Sequence, residues 1–223
     1  MNPKTQEELV RFYVNLAKNT AKGIQKKVCE KNSIPLSPNN PSELCPIPVY
    51  EEEFDASFLK SAQSLRATRI YWATNPQFEF LPAYFKKKRI NGRLCVEIVV
   101  VTENYCEARF FAAKELMHCF LDDDGIAASN SVPMVSELLE SLAIDPRGLY
   151  KFTPQTIVDE VAWLGAAEYL VPNDWIPLLV KLYEDICVKE PDSASNAYLH
   201  LAQLIRVPEA VLRSRLRDVA RAA

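Results

Sequence analysis

Two residues, Asn91-Gly92, do most to restrict how this chain can fold. They separate a run ending Lys86-Lys87-Lys88-Arg89-Ile90 from a run, Leu94 to Val101, rich in valine and isoleucine. Asn and Gly both tolerate positive φ, so the pair closes a two-residue antiparallel hairpin. Phe78-Glu79-Phe80-Leu81 reads as part of the same β region. Asn104 follows, with Glu107 three residues on, and caps a helix. That helix runs through Arg109-Phe110-Phe111-Ala112-Ala113 to Leu121 and stops at Asp122-Asp123-Asp124-Gly125. The expected architecture is α+β, mostly helical, with a small antiparallel sheet packed on this helix. Lys86–Arg89 reads as a solvated strand end that resists edge-to-edge aggregation.

The other elements read as helices. Residues 5–28 carry Leu9, Tyr13, Leu16 and Ala17 at helical spacing. Ser33 to Tyr50 holds five prolines and Asn39-Asn40, which makes it an extended connector. Glu51 to Thr68 looks helical, with Phe54, Phe58, Leu59, Ala62 and Leu65 on one side. Residues 126–151 read as a connection with a short helix near Val135–Leu142. Thr153-Pro154 opens a helix that Pro172 ends. Further helices are expected near 177–188, 194–205 and 208–222. The expected division is an N-terminal helix with its proline-rich connector, 1–50, and a domain over 51–223.

Composition removes several function classes. With five glycines, no G-x-G-x-x-G or G-x-x-x-x-G-K loop can be written. A net charge of −3 gives no global attraction to nucleic acid or anionic membrane, so either would need a local patch. No run of 18 apolar residues exists, which excludes a transmembrane helix. Residues 1–30 lack the apolar stretch of a signal peptide. The six cysteines are scattered without a C-x-x-C pair, which suits reduced thiols in a cytoplasmic protein. Two histidines, His118 and His200, rule out a three-histidine metal site within one chain.

The helix after the hairpin contains Lys114-Glu115-Leu116-Met117-His118. A histidine at 114 would complete H-E-x-x-H, which sets two imidazoles one turn apart to bind zinc while the Glu activates water. Lysine has no lone pair at neutral pH and repels a dication, so the ligand pair is broken. Three blocks in order then resemble the ImmA/IrrE family of metallopeptidase-like proteins. Arg109-Phe110-x-x-Ala113-Lys114-Glu115-Leu116-x-His118-x-x-Leu121 is similar to its R-F-T-x-A-H-E-L-G-H-x-x-L signature. Asp159-x-x-Ala162-x-x-Gly165-Ala166-x-x-Tyr169-Leu170-x-Pro172 is similar to E-x-x-A-x-x-F-A-x-x-L-L-x-P. Leu201-Ala202-Gln203-Leu204-Ile205-Arg206-Val207-Pro208 with Arg215-Leu216 is similar to its tail pattern. The resemblance spans about residues 78–220 and leaves 1–50 outside.

The resemblance implies a zincin-like fold, with Asp159 at the third zinc-ligand position and Glu160 beside it. It implies Glu115 as a vestigial general base and a role in controlling helix-turn-helix repressors of mobile elements and stress responses. The departures are Lys for His at 114, Met for Gly at 117, Asp for Glu at 159 and Asp for His at 122. Three readings stay open. In the first, no zinc is bound, the Lys114 ammonium takes the place of the metal by pairing with Asp159 or Glu160, and the protein works by binding a protein partner. In the second, Glu115, His118, Asp159 or Glu160, with Asp122 or Cys119, form a rearranged metal site of an active peptidase. In the third, the tail is a helix-turn-helix that binds DNA through Arg213, Arg215, Arg217 and Arg221.

Overall fold

The hairpin forms where the Asn-Gly pair places it. In a computed structural model that describes residues 3–49, 65–72, 83–90, 93–100, 102, 104–121, 154–189 and 196–220, β2 (Ala83–Ile90) and β3 (Arg93–Val100) pair antiparallel, with Ile90 opposite Arg93. A third strand, β1 (Leu65–Trp72), lies parallel to β3 on its other side, giving the order β1-β3-β2. The sheet is therefore mixed, and its antiparallel part is the hairpin. Leu65 to Thr68, expected as the end of a helix, belongs to this strand. Residues 51–64, 78–81 and 126–151, and with them the expected helix near 135–142, lie outside the described residues.

The helix α2 (Tyr105–Leu121) opens as expected. The Asn104 side chain accepts the amides of Cys106 and Glu107 at 3.0 and 3.3 Å, and the Thr102 hydroxyl donates to the Glu107 carboxylate. Ala108, Phe110, Phe111, Ala112, Ala113, Leu116 and Met117 are all buried. A helix covered on every side belongs in the middle of a core, and its polar residues there must find partners inside it. One side of α2 packs on β2 and β3 and another on α3 (Pro154–Leu170). Phe110 meets Trp163 of α3 edge to face at 5.5 Å.

The N-terminal helix α1 (Pro3–Asn32) joins the same core. Ala17, Thr20, Ala21, Ile24, Gln25 and Val28 form its buried stripe against α3, and the Gln25 amide donates to the Tyr169 carbonyl. The connector crosses α3 as well: Leu44 and Ile47 are buried, and the Tyr169 hydroxyl donates to the Pro48 carbonyl. After α3 come α4 (Ile176–Lys189), α5 (Ala197–Ile205) and α6 (Glu209–Ala220). The turn between α5 and α6 holds Arg206 in the left-handed region, φ 54°. The Arg206 and Val207 amides donate to the Gln203 and Ala202 carbonyls, which closes α5 with a Schellman motif.

Candidate functional site

Lys114 and His118 stand one turn apart on α2, and Asp159 stands in the first half of α3. The packing of the two helices, which also sets Phe110 against Trp163, brings these three residues together. The Lys114 ammonium donates to Asp159 Oδ1 at 2.9 Å, and His118 Nε2 lies 2.8 Å from the same oxygen. Glu115 Oε1 is 3.8 Å from the ammonium. The cluster is internal: Lys114 is 5%, His118 2% and Asp159 8% exposed. The expected cross-link between helices is present, and its carboxylate is Asp159.

The electrostatics follow from burial and pairing. Burial works to raise the Asp159 carboxyl, but hydrogen bonds and charge from His118 and Lys114 outweigh it and hold it below its ordinary value. Glu115 goes the other way: burial raises it, with Lys114 and His118 only partly opposing. Glu160, also buried, is pushed up to about 7 by burial and by the Asp159 charge beside it. Its Oε2 has no hydrogen-bond partner among the described residues. Of the two acidic neighbours, Asp159 is thus the ionised partner of Lys114. Asp122 and the Cys119 side chain lie outside the described residues.

The zinc that the resemblance implies does not fit these residues. A catalytic zinc takes three protein ligands at about 2.0–2.2 Å for nitrogen and oxygen and leaves a fourth position open. Here the ligand-type atoms His118 Nε2 and Asp159 Oδ1 face each other, and a cation is already bonded to the carboxylate. An ammonium offers no lone pair to a metal. Among the described residues no group of three His, Cys, Asp or Glu side chains is arranged to hold a metal ion. What the arrangement does chemically is neutralise a buried carboxylate and lock α2 to α3.

Sequence reasoning missed a fit of sizes beside the cluster. A Cβ on Gly165 would stand 3.0 Å from Met117 Cγ and Sδ. The pattern quoted above carries Gly and Phe where this chain has Met117 and Gly165, so two differences from it fall at positions that touch. That double departure was the available signal. Reasoning also missed Arg109, which is buried and donates to the carbonyls of Ile47, Ile205 and Arg206. It ties the motif helix to the connector and to the C-terminal end of α5.

The tail arginines are placed differently from the DNA-binding expectation. Arg215 is 8% exposed and donates to Glu168, Asn173 and the Val171 carbonyl. Arg213 pairs with Glu209 and lies 4.1 Å over the Tyr198 ring. Arg217 is exposed, and Arg221 lies outside the described residues. Arg215 is committed inside the fold and Arg213 to its own helix and a ring, so of the described arginines only Arg217 is placed as that expectation requires. His200 is exposed on α5, in a different element from the cluster. No helix is long and apolar enough to cross a membrane among the described residues. No protein-family model matches the chain, and no curated protein matches it.

Proposed function

We propose that this chain is a metal-independent binding protein built on a peptidase-like, zincin-type frame. The observation that carries the reading is the Lys114 ammonium bonded to Asp159 at the centre of the motif, with His118 on the same oxygen. The order hairpin, motif helix, facing helix supports the frame, because the residues the resemblance singles out converge across α2 and α3. The ligand is a protein segment, added as a strand to the sheet along the hairpin's outer strand β2, whose described pairing is to β3 alone. A helix-turn-helix repressor is the partner class that the resemblance carries.

Metal analysis after dialysis against zinc-free buffer tests the reading, with far less than stoichiometric zinc expected. Stoichiometric zinc that survives dialysis, with peptide hydrolysis lost on chelation, would replace this reading by that of an active metallopeptidase with a rearranged site. Lys114→His is the companion variant. It rebuilds the two-imidazole pair, and gain of zinc over a Lys114→Ala control is the expected outcome.

A further inference from the structure

The helix α1 turns one side to the core, where Ala17, Ala21, Ile24 and Val28 are buried. At about 100° per residue, the positions on the opposite side are Arg11, Asn15, Lys18, Lys22 and Lys26, all within a strip of about 80° of arc. Every one of them is exposed. At about 1.5 Å of rise per residue the strip runs for about 22 Å. It is a straight row of cations pointing away from the fold, one turn apart from Lys18 to Lys26. Exposed Asn19 lies along its margin.

This row opposes the helix that carries it. Between Leu9 and Cys29 the sequence holds five basic residues and no acidic one. A solvated helix face ordinarily mixes signs at i,i+4 spacing, where opposite charges stabilise the helix and like charges destabilise it. Lys18–Lys22 and Lys22–Lys26 are like-charged pairs at that spacing. Lys26 has an acid in reach, Glu30 at 3.9 Å. Arg11, Lys18 and Lys22 have none among the described residues. The chain as a whole carries a net charge of −3, so it holds acids enough, but none is set against this row. The local patch that a nucleic acid would need is therefore present, and it lies on α1.

We propose that the exposed side of α1 binds duplex DNA. Arg11, Lys18, Lys22 and Lys26 meet backbone phosphates, and Asn15 and Asn19 donate amide hydrogens to phosphate or base-edge acceptors. A protein partner fits less well, because protein interfaces are depleted in lysine at their centres whereas nucleic-acid interfaces are strongly basic. A membrane fits less well too, since the apolar stripe that an interfacial helix sinks into lipid is here already buried in the core. Single strands call for rings on which bases stack, and the row has none within it. The narrow major groove of A-form RNA does not admit a helix, and that of B-DNA does. The site uses no residue of the Lys114 cluster or of the sheet, so it stands or falls apart from the peptide-binding reading.

The test is fluorescence anisotropy of the full chain with a labelled, mixed-sequence DNA duplex across a salt series. Binding should weaken with salt along a log–log slope of about −3 to −4, the value for about four phosphate contacts on B-DNA. Lys18→Gln with Lys22→Gln should lower affinity about tenfold or more and roughly halve that slope. Glutamine suits a helix as well as lysine does, and the change removes like-charge repulsion, so the melting temperature should not fall. Lys181→Gln with Arg217→Gln makes the same charge change at exposed positions of α4 and of the tail helix α6, and should leave affinity within about twofold. The proposal is overturned if the duplex does not bind at low salt, or if the α4/α6 pair weakens binding as much as the α1 pair. It is equally overturned if polyglutamate, a single strand or vesicles containing phosphatidylserine compete as well as unlabelled duplex at matched charge. Those outcomes would mark the row as a surface for acidic proteins, single strands or anionic lipid.

Discussion

The helix α3 carries a buried ion pair near each end, and the two are built differently. At its N-terminal half, Asp159 receives the ammonium of Lys114, a point charge, and shares the same oxygen with His118. At its C-terminal half, Glu168 receives the guanidinium of Arg215, which also donates to Asn173 and to the Val171 carbonyl. The second Glu168 oxygen accepts the Asn173 amide, so both oxygens are used. Arginine presents a rigid fork of donors that can satisfy several acceptors at once, and lysine a compact charge on a flexible stem. The Arg215 pair is thus a structural clip that fastens α6 to the turn after α3. The Lys114 pair joins α2 to α3 through one buried cation set among Asp159, His118 and Glu115.

The largest expected effect breaks the clip. Arg215→Ala leaves Glu168 buried without its counter-charge and removes a donor from the Val171 carbonyl. Removing one partner of a buried pair costs about 3–5 kcal/mol, and thermal or urea denaturation should show a loss of that order. Asp159→Ala should cost somewhat less, about 2–4 kcal/mol, because Lys114 keeps Glu115 at 3.8 Å as an alternative anion. If Asp159→Ala proves the more damaging, the single-cation cluster and not the fork is the main fastening of α3.

Acidity separates two neighbours at the N-terminal end of α3. Asp159 lies below its ordinary value, so its contribution is present above about pH 3.9 and is lost as pH falls through the lowered value. Glu160 has the opposite sign. Its folded value of about 7 lies above the unfolded value of about 4.3. Its favourable contribution is therefore complete below about pH 4.3 and is lost as pH rises to about 7. Glu160→Gln should remove that loss and raise stability at pH 8 by about 1–3 kcal/mol, with little change at pH 4. A denaturation series at both pH values checks it, and an equal change at both would dismiss titration of Glu160 as the cause.

These differences explain which parts could be read in the sequence. The hairpin and the start of α2 rest on local chemistry, Asn91-Gly92 and the Asn104 cap, and both were legible. The strand β1 was not. Its first residues continue the helical apolar spacing of Phe58, Ala62 and Leu65, and its partner β3 is distant and parallel, which leaves no turn signature. The Lys114 cross-link was legible as far as a choice between Asp159 and Glu160, because the resembled blocks set those positions across from each other; the choice of Asp159 came from the structure. The Arg215 clip was not legible, because an arginine on an amphipathic C-terminal helix ordinarily reads as solvated, and nothing local points to Glu168.

The smallest expected effect concerns the approach of α2 to α3 that makes the Lys114 pair possible. Gly165 leaves room for Met117, and a Cβ there would sit 3.0 Å from the thioether. Because the obstructing atoms belong to a flexible side chain, Gly165→Ala should cost only about 1 kcal/mol, the low end of overpacking. Met117→Ala alone should cost about 2–3 kcal/mol through the space it leaves. In the Met117→Ala background the Gly165→Ala change should turn neutral or stabilising, since the added methyl then enters that space and Ala suits a helix interior better than Gly. Such coupling in a double-mutant cycle would assign the close approach to the fit of Met117 against Gly165. Simple additivity would mean that Lys114 and Asp159 hold the helices together without help from that fit.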